Sequence, residues 1–421
     1  MAAHSGHGWL PAYLPASARR VRVADPELGA TLREAGAELV EADADAELVR
    51  SAAEVARAAP VVVVSLEEQP PTDRLRPMRA CRRAARSLRL RARARAAARR
   101  LGDARTLLWE VDGPSALFPL RALVSTGEGE TIVDAAAAAA GLDPGQVRPR
   151  IRQGGVVAFA ADAVLRVAVG PSAAQVEEHA RALREIAAAG PPPSVASRIP
   201  AQLGSGRAGL GVWSLESALP GTRPELPLSP RLLEDCSEFL ASLYGLVPGG
   251  EPSGTPAADA AVLAVASPGR TAALERLGRW VERTIEEVPR GFGHGDFWRD
   301  NLLADGDRLV GVVDWASAGP GRLPLLDMLH LTTDATRARV RGHLGPVIAS
   351  HLLPWARAGG DELARDHLRR VGVTASPVLL EALALAYWLD FVARQLRVFG
   401  DRGASETWVR QNVDVVVAAA E

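Results

Sequence analysis

At 421 residues the chain exceeds what one hydrophobic core ordinarily organises, so two or three compact units are expected. Its 48% hydrophobic content and formal charge of −1 describe a globular chain with no general attraction to polyanions, which argues against nucleic acid as a main partner. No uninterrupted apolar run approaches a membrane span, and the amino terminus, with His4, His7 and Pro11, lacks a charged-then-apolar signal, so a cytoplasmic protein with no membrane partner is expected.

Residues 1–145 alternate strand and helix. Val21–Asp25, a helical stretch to Ala35, Ala37–Glu41, a helix to Ala58, Val61–Val64 and a further strand over Thr106–Val111 predict a small doubly wound α/β domain. The pattern faintly resembles a Rossmann-like or methyltransferase-like unit. Asp25-Pro26-Glu27-Leu28-Gly29 stands where a dinucleotide-binding domain carries its glycine fingerprint, so a scaffold or protein-partner role is expected there. Arg79–Arg100 is a helix-capable stretch with ten arginines and no interleaved aromatics. A solvated, partly ion-paired helix face is the preferred reading of it. Cys81 and Cys236 lie far apart without metal-ligand spacing and read as free thiols.

From residue 146 the pattern changes to short strands and then long helices. Gln153–Phe159, a turn at Ala160–Asp162 and Ala163–Val169 read as paired strands. Ala173–Ala189 carries Val176, Ala180, Leu183 and Ala187 on one face, which predicts an amphipathic helix that Pro191-Pro192-Pro193 ends. Gly211–Gly221 reads as a strand followed by a Pro-Gly turn. Helical periodicity then dominates in Arg231–Leu246, Thr271–Val288, Leu379–Phe399 and Trp408–Val417.

His294-Gly295-Asp296-Phe297-Trp298-Arg299-Asp300-Asn301 is the most specific feature. Phosphoryl transfer from a nucleotide needs a carboxylate to orient the attacking hydroxyl, and an Asn plus a second carboxylate to hold Mg²⁺ against the phosphates. Asp296 and Asn301 have that spacing within one loop. Leu302-Leu303, the turn Asp305-Gly306-Asp307 and Leu309–Val313 form a predicted hairpin that returns Asp314 beside the loop. A sequence of this form resembles the aminoglycoside phosphotransferase and choline kinase family, whose signature is His-Gly-Asp, four residues, Asn, then a strand and Asp. Downstream, Ala318–Gly321 and Leu325-Leu326-Asp327 occupy the place of the family's Gly-Asp-Pro-like turn and further Asp.

The resemblance implies a bilobal protein-kinase-like domain over residues 146–421, with a β-rich small lobe at 146–220, a helical large lobe at 221–421, and ATP with Mg²⁺ in the cleft between them. It implies Asp296 as the catalytic carboxylate, Asn301 and Asp314 as metal ligands, His294 as a shaper of the loop, and Asp327 as a brace that hydrogen-bonds the loop backbone. Gly154-Gly155 would be a thin phosphate-covering loop. The backbone of Leu215, Glu216 and Ser217 would meet the adenine. Asp390 would face a cationic substrate, with a charge on the helix surface as the preferred alternative. The acceptor would be a hydroxyl of a sugar, amino sugar or amino alcohol.

One departure bears on mechanism. The chain has no lysine, so all 49 basic residues are arginine. The family's phosphate-holding Lys is replaced by Arg166, expected to pair with Glu178, or alternatively with Glu177. Arg and Lys differ in length and shape, so three readings stand: Arg166 binds phosphate in a modified geometry, the lobe binds nucleotide poorly, or Arg166 faces solvent. A non-catalytic kinase-like module is the competing function.

Overall fold

The structure, a computed structural model, describes residues 9–49, 61–68, 79–101, 105–111, 120–126, 130–152, 154–251, 254–399 and 404–421. Arg20–Val23 (β1), Pro26–Glu34 (α1), Glu38–Leu39 (β2), Ala46–Val49 (β3), Val61–Glu68 (β4), Arg79–Leu101 (α2), Arg105–Val111 (β5) and Leu120–Ser125 (β6) build a six-stranded sheet ordered β2-β1-β3-β4-β6-β5. Its β2-β1-β3-β4 half is parallel, while β6 runs antiparallel to both β4 and β5. The sheet is therefore mixed, which departs from the doubly wound expectation of a parallel sheet. The helix expected through Ala58 is corrected at Ala46–Val49, which is a central strand with all four residues buried; residues 50–60 lie outside the described residues. Glu47 is tolerated there because Arg22 on the adjacent β1 pairs with it.

Ile132–Ala139 (α3) leads through Arg148–Arg152 (β7), Gly155–Phe159 (β8), Ala163–Val169 (β9), Ala173–Ala188 (α4), Pro193–Ala196 (α5), Gln202–Ala208 (β10) and Gly211–Ser217 (β11). The five strands form an antiparallel sheet, β10-β11-β9-β8-β7. One face is apolar: Val156, Ala158, Leu165, Val167, Trp213 and Leu215 join Trp9, Leu14, Leu28, Ile132 and Ala136 in one buried cluster. That shared core explains why the compact unit is His4–Glu177 with Gln202–Ser217, a division that differs from the boundary expected at residue 145. Gly155 is explained by the same sheet. A Cβ at that position would stand 2.4 Å from the Val167 carbonyl oxygen of the neighbouring strand, so strand packing itself requires a glycine there. Gly155→Ala is expected to cost about 1–3 kcal/mol through overpacking. Urea denaturation measures it, and an unchanged midpoint would contradict the close approach.

The second unit, Glu178–Ala201 with Ala218–Glu421, is mainly helical. Pro230–Tyr244 (α6), Pro256–Ala266 (α7), Thr271–Thr284 (α8), Leu326–Val340 (α9), Leu344–Val347 (α10), Leu353–Arg357 (α11), Glu362–Arg370 (α12) and Pro377–Phe399 (α13) enclose two short sheets. These are Gly291–Gly293 (β12) with Gly319–Arg322 (β15), and the hairpin Leu302–Asp305 (β13) with Arg308–Val312 (β14). Buried Phe239, Phe297, Trp315, Leu329, Leu383 and Trp388 belong to one core that reaches beneath both sheets. Among the described residues no helix is long and apolar enough to cross a membrane. Cys236 is a free, buried thiol, its pKa pushed upward by burial.

Candidate active site

The loop between β12 and β13 carries His294, Asp296 and Asn301, and the β13–β14 hairpin fixes where the chain returns. Residues 302 and 312 pair at its open end, and Gly306 supplies the left-handed turn at φ 59°. The hairpin is anchored to α6 by buried Asp235, which accepts from the Leu309 amide at 3.3 Å and pairs with Arg308 at 2.9 Å. At the open end the Val313 amide donates to the Asn301 carbonyl at 2.9 Å, so Asp314 emerges beside the loop. Asn301 Nδ2 donates to the Asp296 backbone oxygen at 2.9 Å and to its carboxylate at 3.1 Å. That orientation leaves Asn301 Oδ1 as the atom free to face a cation.

Asp314 adopts a left-handed backbone, φ 69° and ψ 66°, a region that few side-chain-bearing residues other than Asn and Asp enter. The constraints are visible. The Trp315 amide donates to His179 Nδ1 at 3.0 Å, and its indole N–H donates to the Val312 carbonyl at 2.9 Å. Trp315 is fully buried against His294 and Phe239.

His294 is fully buried, and removal from water lowers its pKa despite the carboxylates of Asp327, Asp296 and Asp314 nearby. Nδ1 accepts from the Asp296 amide at 3.3 Å, and Nε2 lies 3.1 Å from the Val313 carbonyl. Only a neutral ring with its proton on Nε2 satisfies both bonds, so His294 holds two chain segments together and is not placed to accept a substrate proton. Burial raises the Asp296 carboxyl, an effect that Arg394 and the Asn301 amide oppose.

Asp327, at the start of α9, accepts from the backbone amides of His294 at 2.8 Å and Gly295 at 2.9 Å. The other side of the loop is held by Arg394 of α13, which donates to the Gly295 carbonyl at 2.8 Å. Arg394 in turn pairs with Asp390 at 2.9 Å, and Arg322 approaches the same carboxylate at 3.9 Å. Asp390, offered for a cationic substrate, thus has two arginines about its carboxylate, one of them the side chain that holds the loop. Asp327→Asn keeps one acceptor oxygen and loses the other, leaving one loop amide without its charge-assisted bond. The expected loss is about 1.5–3 kcal/mol of stability, with turnover falling alongside. A melting temperature and turnover both equal to wild type would remove Asp327 from its bracing role.

Sequence reasoning missed three residues. His179 meets the Trp315 amide and Arg394 the Gly295 carbonyl, bonds to backbone that leave no motif. His330 places Nε2 3.9 Å from Asp296 Oδ1 and packs its ring against Tyr387 and Phe391. Burial and nearby Arg394 push its pKa down to about 3, so it is neutral at ordinary pH. A signal existed: Asp327, His330, Asp334 and Arg337 recur at helical spacing.

The nucleotide residues expected in the β-rich lobe are partly rearranged. Arg166 pairs with Glu216, its Nε and Nη2 each 3.1 Å from Oε1, whereas Glu177 and Glu178 are exposed on α4. Glu216 is thus a partner of Arg166 that the sequence did not announce. The physical reason is register: Ser214 lies opposite Arg166, so Glu216 is its diagonal neighbour on the same face of the sheet. Leu215 and Glu216 are flanked by β9 on one side and β10 on the other, and the β10 pairing ends at Gln202↔Glu216. Ser217 pairs with β9 alone, so the edge of β11 is open on the β10 side only from there. Gly154 forms the turn between β7 and β8, with Ser172 Oγ 3.1 Å from where its Cβ would stand.

The donor chemistry at Asn301 and Asp314 fits magnesium. Both supply hard oxygen, and a Mg²⁺ ion that arrives with nucleotide phosphates needs only one or two protein ligands. Among the described residues no cluster of three or more His, Cys, Asp or Glu is placed to hold a metal ion by itself.

No curated protein matches the chain. Solved structures that are similar include aminoglycoside phosphotransferase APH(3'')-Id from Streptomyces rimosus ATCC10970, at 15% identity over 60% of this chain and 96% of that one, with a TM-score of 0.41. A thermostable mutant of aminoglycoside phosphotransferase APH(4)-Ia, in complex with ADP and hygromycin B, matches at 18% identity over 65% of this chain and 93% of that one, with a TM-score of 0.42. An aminoglycoside-3'-phosphotransferase of type VIII matches at 21% identity over 61% and 97%, with a TM-score of 0.39. The profile of the phosphotransferase enzyme family, APH, matches residues 155–370, just over half of the chain and the whole of the loop and hairpin described above. The chain belongs to the phosphotransferase enzyme family.

Proposed function

We propose that the protein is an ATP- and Mg²⁺-dependent phosphotransferase acting on a hydroxyl of a small molecule. The observation that carries this reading is the convergence of Asp296, Asn301 and Asp314, tied together by Asn301 Nδ2 on Asp296 and by the Val313 amide on the Asn301 carbonyl. Asp296 orients the acceptor hydroxyl and takes its proton. Asn301 Oδ1 and Asp314 would hold Mg²⁺, which would neutralise phosphate charge. His294, Asp327 and Arg394 keep the loop in one geometry, and positioning is the larger part of catalysis in this chemistry. The experiment is ADP release by the purified protein over a panel of hydroxyl compounds, together with calorimetric titration of Mg·ATP. No Mg·ATP binding and no ADP release would sink the reading.

A second reading, a non-catalytic kinase-like module, is favoured by one observation: the guanidinium at the phosphate-binding position is already engaged by buried Glu216. Under the enzyme reading Glu216 fixes the guanidinium while its remaining N–H groups take a phosphate oxygen. Arg166→Ala is then expected to raise the KM for ATP and lower turnover, each tenfold step corresponding to about 1.4 kcal/mol. Arg166→Lys is expected to weaken activity as well, because one ammonium cannot serve carboxylate and phosphate as a fork does. Unchanged ATP kinetics in both variants would favour the module.

A further inference from the structure

Helix α9 lays a polar stripe along the catalytic loop. Asp327, His330, Asp334 and Arg337 follow one another at intervals of three, four and three residues, which places them on one side of the helix. The first two are fixed against the loop: Asp327 on the amides of His294 and Gly295, and His330 with Nε2 3.9 Å from Asp296 Oδ1. The helix therefore serves as a ruler. At about 1.5 Å of rise per residue, Asp334 stands roughly one turn and Arg337 roughly two turns, ~10 Å, beyond the residue that faces the base.

The charges around this stripe do not suit a polycation. Asp300 is matched by Arg299 at 2.9 Å and Arg223 at 3.2 Å, and Asp390 by Arg394 at 2.9 Å. Asp334 is half-buried, burial raises its carboxyl toward the neutral form, and Arg337 and Arg299 are the positive charges that oppose this. Donors are in excess. Arg337 makes no side-chain hydrogen bond or ion pair among the described residues, and its Nε is buried without a partner, as are those of Arg299 and Arg394. Those Nε atoms are closed off from a ligand, so what Arg337 offers an oxyanion is its Nη groups, which carry no protein partner among the described residues. Phe391, half-buried with its ring 5.1 Å from that of His330 and under the Arg394 guanidinium, adds an apolar wall to the same side.

We propose that the acceptor carries an anionic oxygen group, a carboxylate or a phosphate, that seats on Arg337 while its hydroxyl lies at Asp296. The inference rests on the phosphotransferase reading above and narrows its substrate. In the reaction the acceptor oxygen bonds to the γ-phosphorus and the bond from that phosphorus to the β–γ bridging oxygen breaks. The bond's electron pair leaves with ADP, and the hydroxyl proton passes to Asp296.

The test uses the full chain with Mg·ATP and three acceptor sets: kanamycin and choline as cations, glucose and glycerol as neutral compounds, and gluconate, glycerate and ribose 5-phosphate as anions. The best anionic acceptor is expected to exceed the best cationic one by roughly ten- to a hundredfold in kcat/KM, and the carboxylates and the sugar phosphate separate the two oxyanion sources. Arg337→Gln is expected to raise the KM for that anion by a similar factor with Mg·ATP affinity retained, and Arg337→Lys to recover part of it. Preference for kanamycin or choline overturns the inference, as does an unchanged KM in Arg337→Gln. If Arg337→Gln does not fold, the wild-type ranking still decides. Mg·ATP binding with no transfer to any anion sinks this inference alone, whereas absence of both Mg·ATP binding and all transfer sinks the phosphotransferase reading beneath it.

Discussion

Asp296→Asn is expected to lower turnover by roughly 10²–10⁴-fold, about 3–5 kcal/mol of transition-state stabilisation, while Mg·ATP binding stays close to wild type. The substitution conserves volume. The loop also keeps its shape, because Asn301 Nδ2 still has the backbone carbonyl of residue 296 at 2.9 Å, and Asp327 and Arg394 hold Gly295 from either side. What is lost is the carboxylate that accepts the hydroxyl proton. His330 cannot replace it: its imidazole lies close by but, with a pKa near 3, is too weak a base. Single-turnover kinetics with saturating Mg·ATP would place the defect in the chemical step. Near-normal turnover would remove Asp296 from the catalytic role.

The chemistry of this chain was more legible in its sequence than its architecture was. The loop from His294 to Asn301 and the hairpin to Asp314 are contiguous, so turn residues and strand alternation alone bring their ends together, as the Val313 amide on the Asn301 carbonyl displays. Contacts that cross the fold were another matter. That Arg166 meets Glu216 depends on which face of the sheet each occupies, and a one-residue change of register would carry Glu216 to the other face. Ala46–Val49 carries too few residues to show a period, and only its burial between β1 and β4 makes it a strand. Arg394 is separated by 99 positions from the glycine it holds, and nothing local announces such a bond.

Asp314 tests two properties at once, because a metal ligand and a strained backbone coincide in it. Loss of the carboxylate should weaken Mg²⁺ and nucleotide together, by roughly tenfold or more, since a Mg²⁺ held there would arrive with the nucleotide. The left-handed conformation at φ 69° separates this effect from stability. An alanine there meets the full steric penalty of about 1–2 kcal/mol, whereas glycine adopts that region freely. Asp314→Ala is therefore expected to be both defective in Mg·ATP binding and less stable, while Asp314→Gly should be equally defective yet melt at or above the wild-type temperature. Asp314→Asn, which tolerates the left-handed region and keeps one oxygen, should fall between wild type and glycine in Mg²⁺ affinity. Calorimetric titration at graded Mg²⁺ and thermal melts of the same samples read both properties. If Asp314→Gly lost stability and kept Mg·ATP, the residue would be a turn former held by Trp315 and His179, and the metal would have to lie elsewhere.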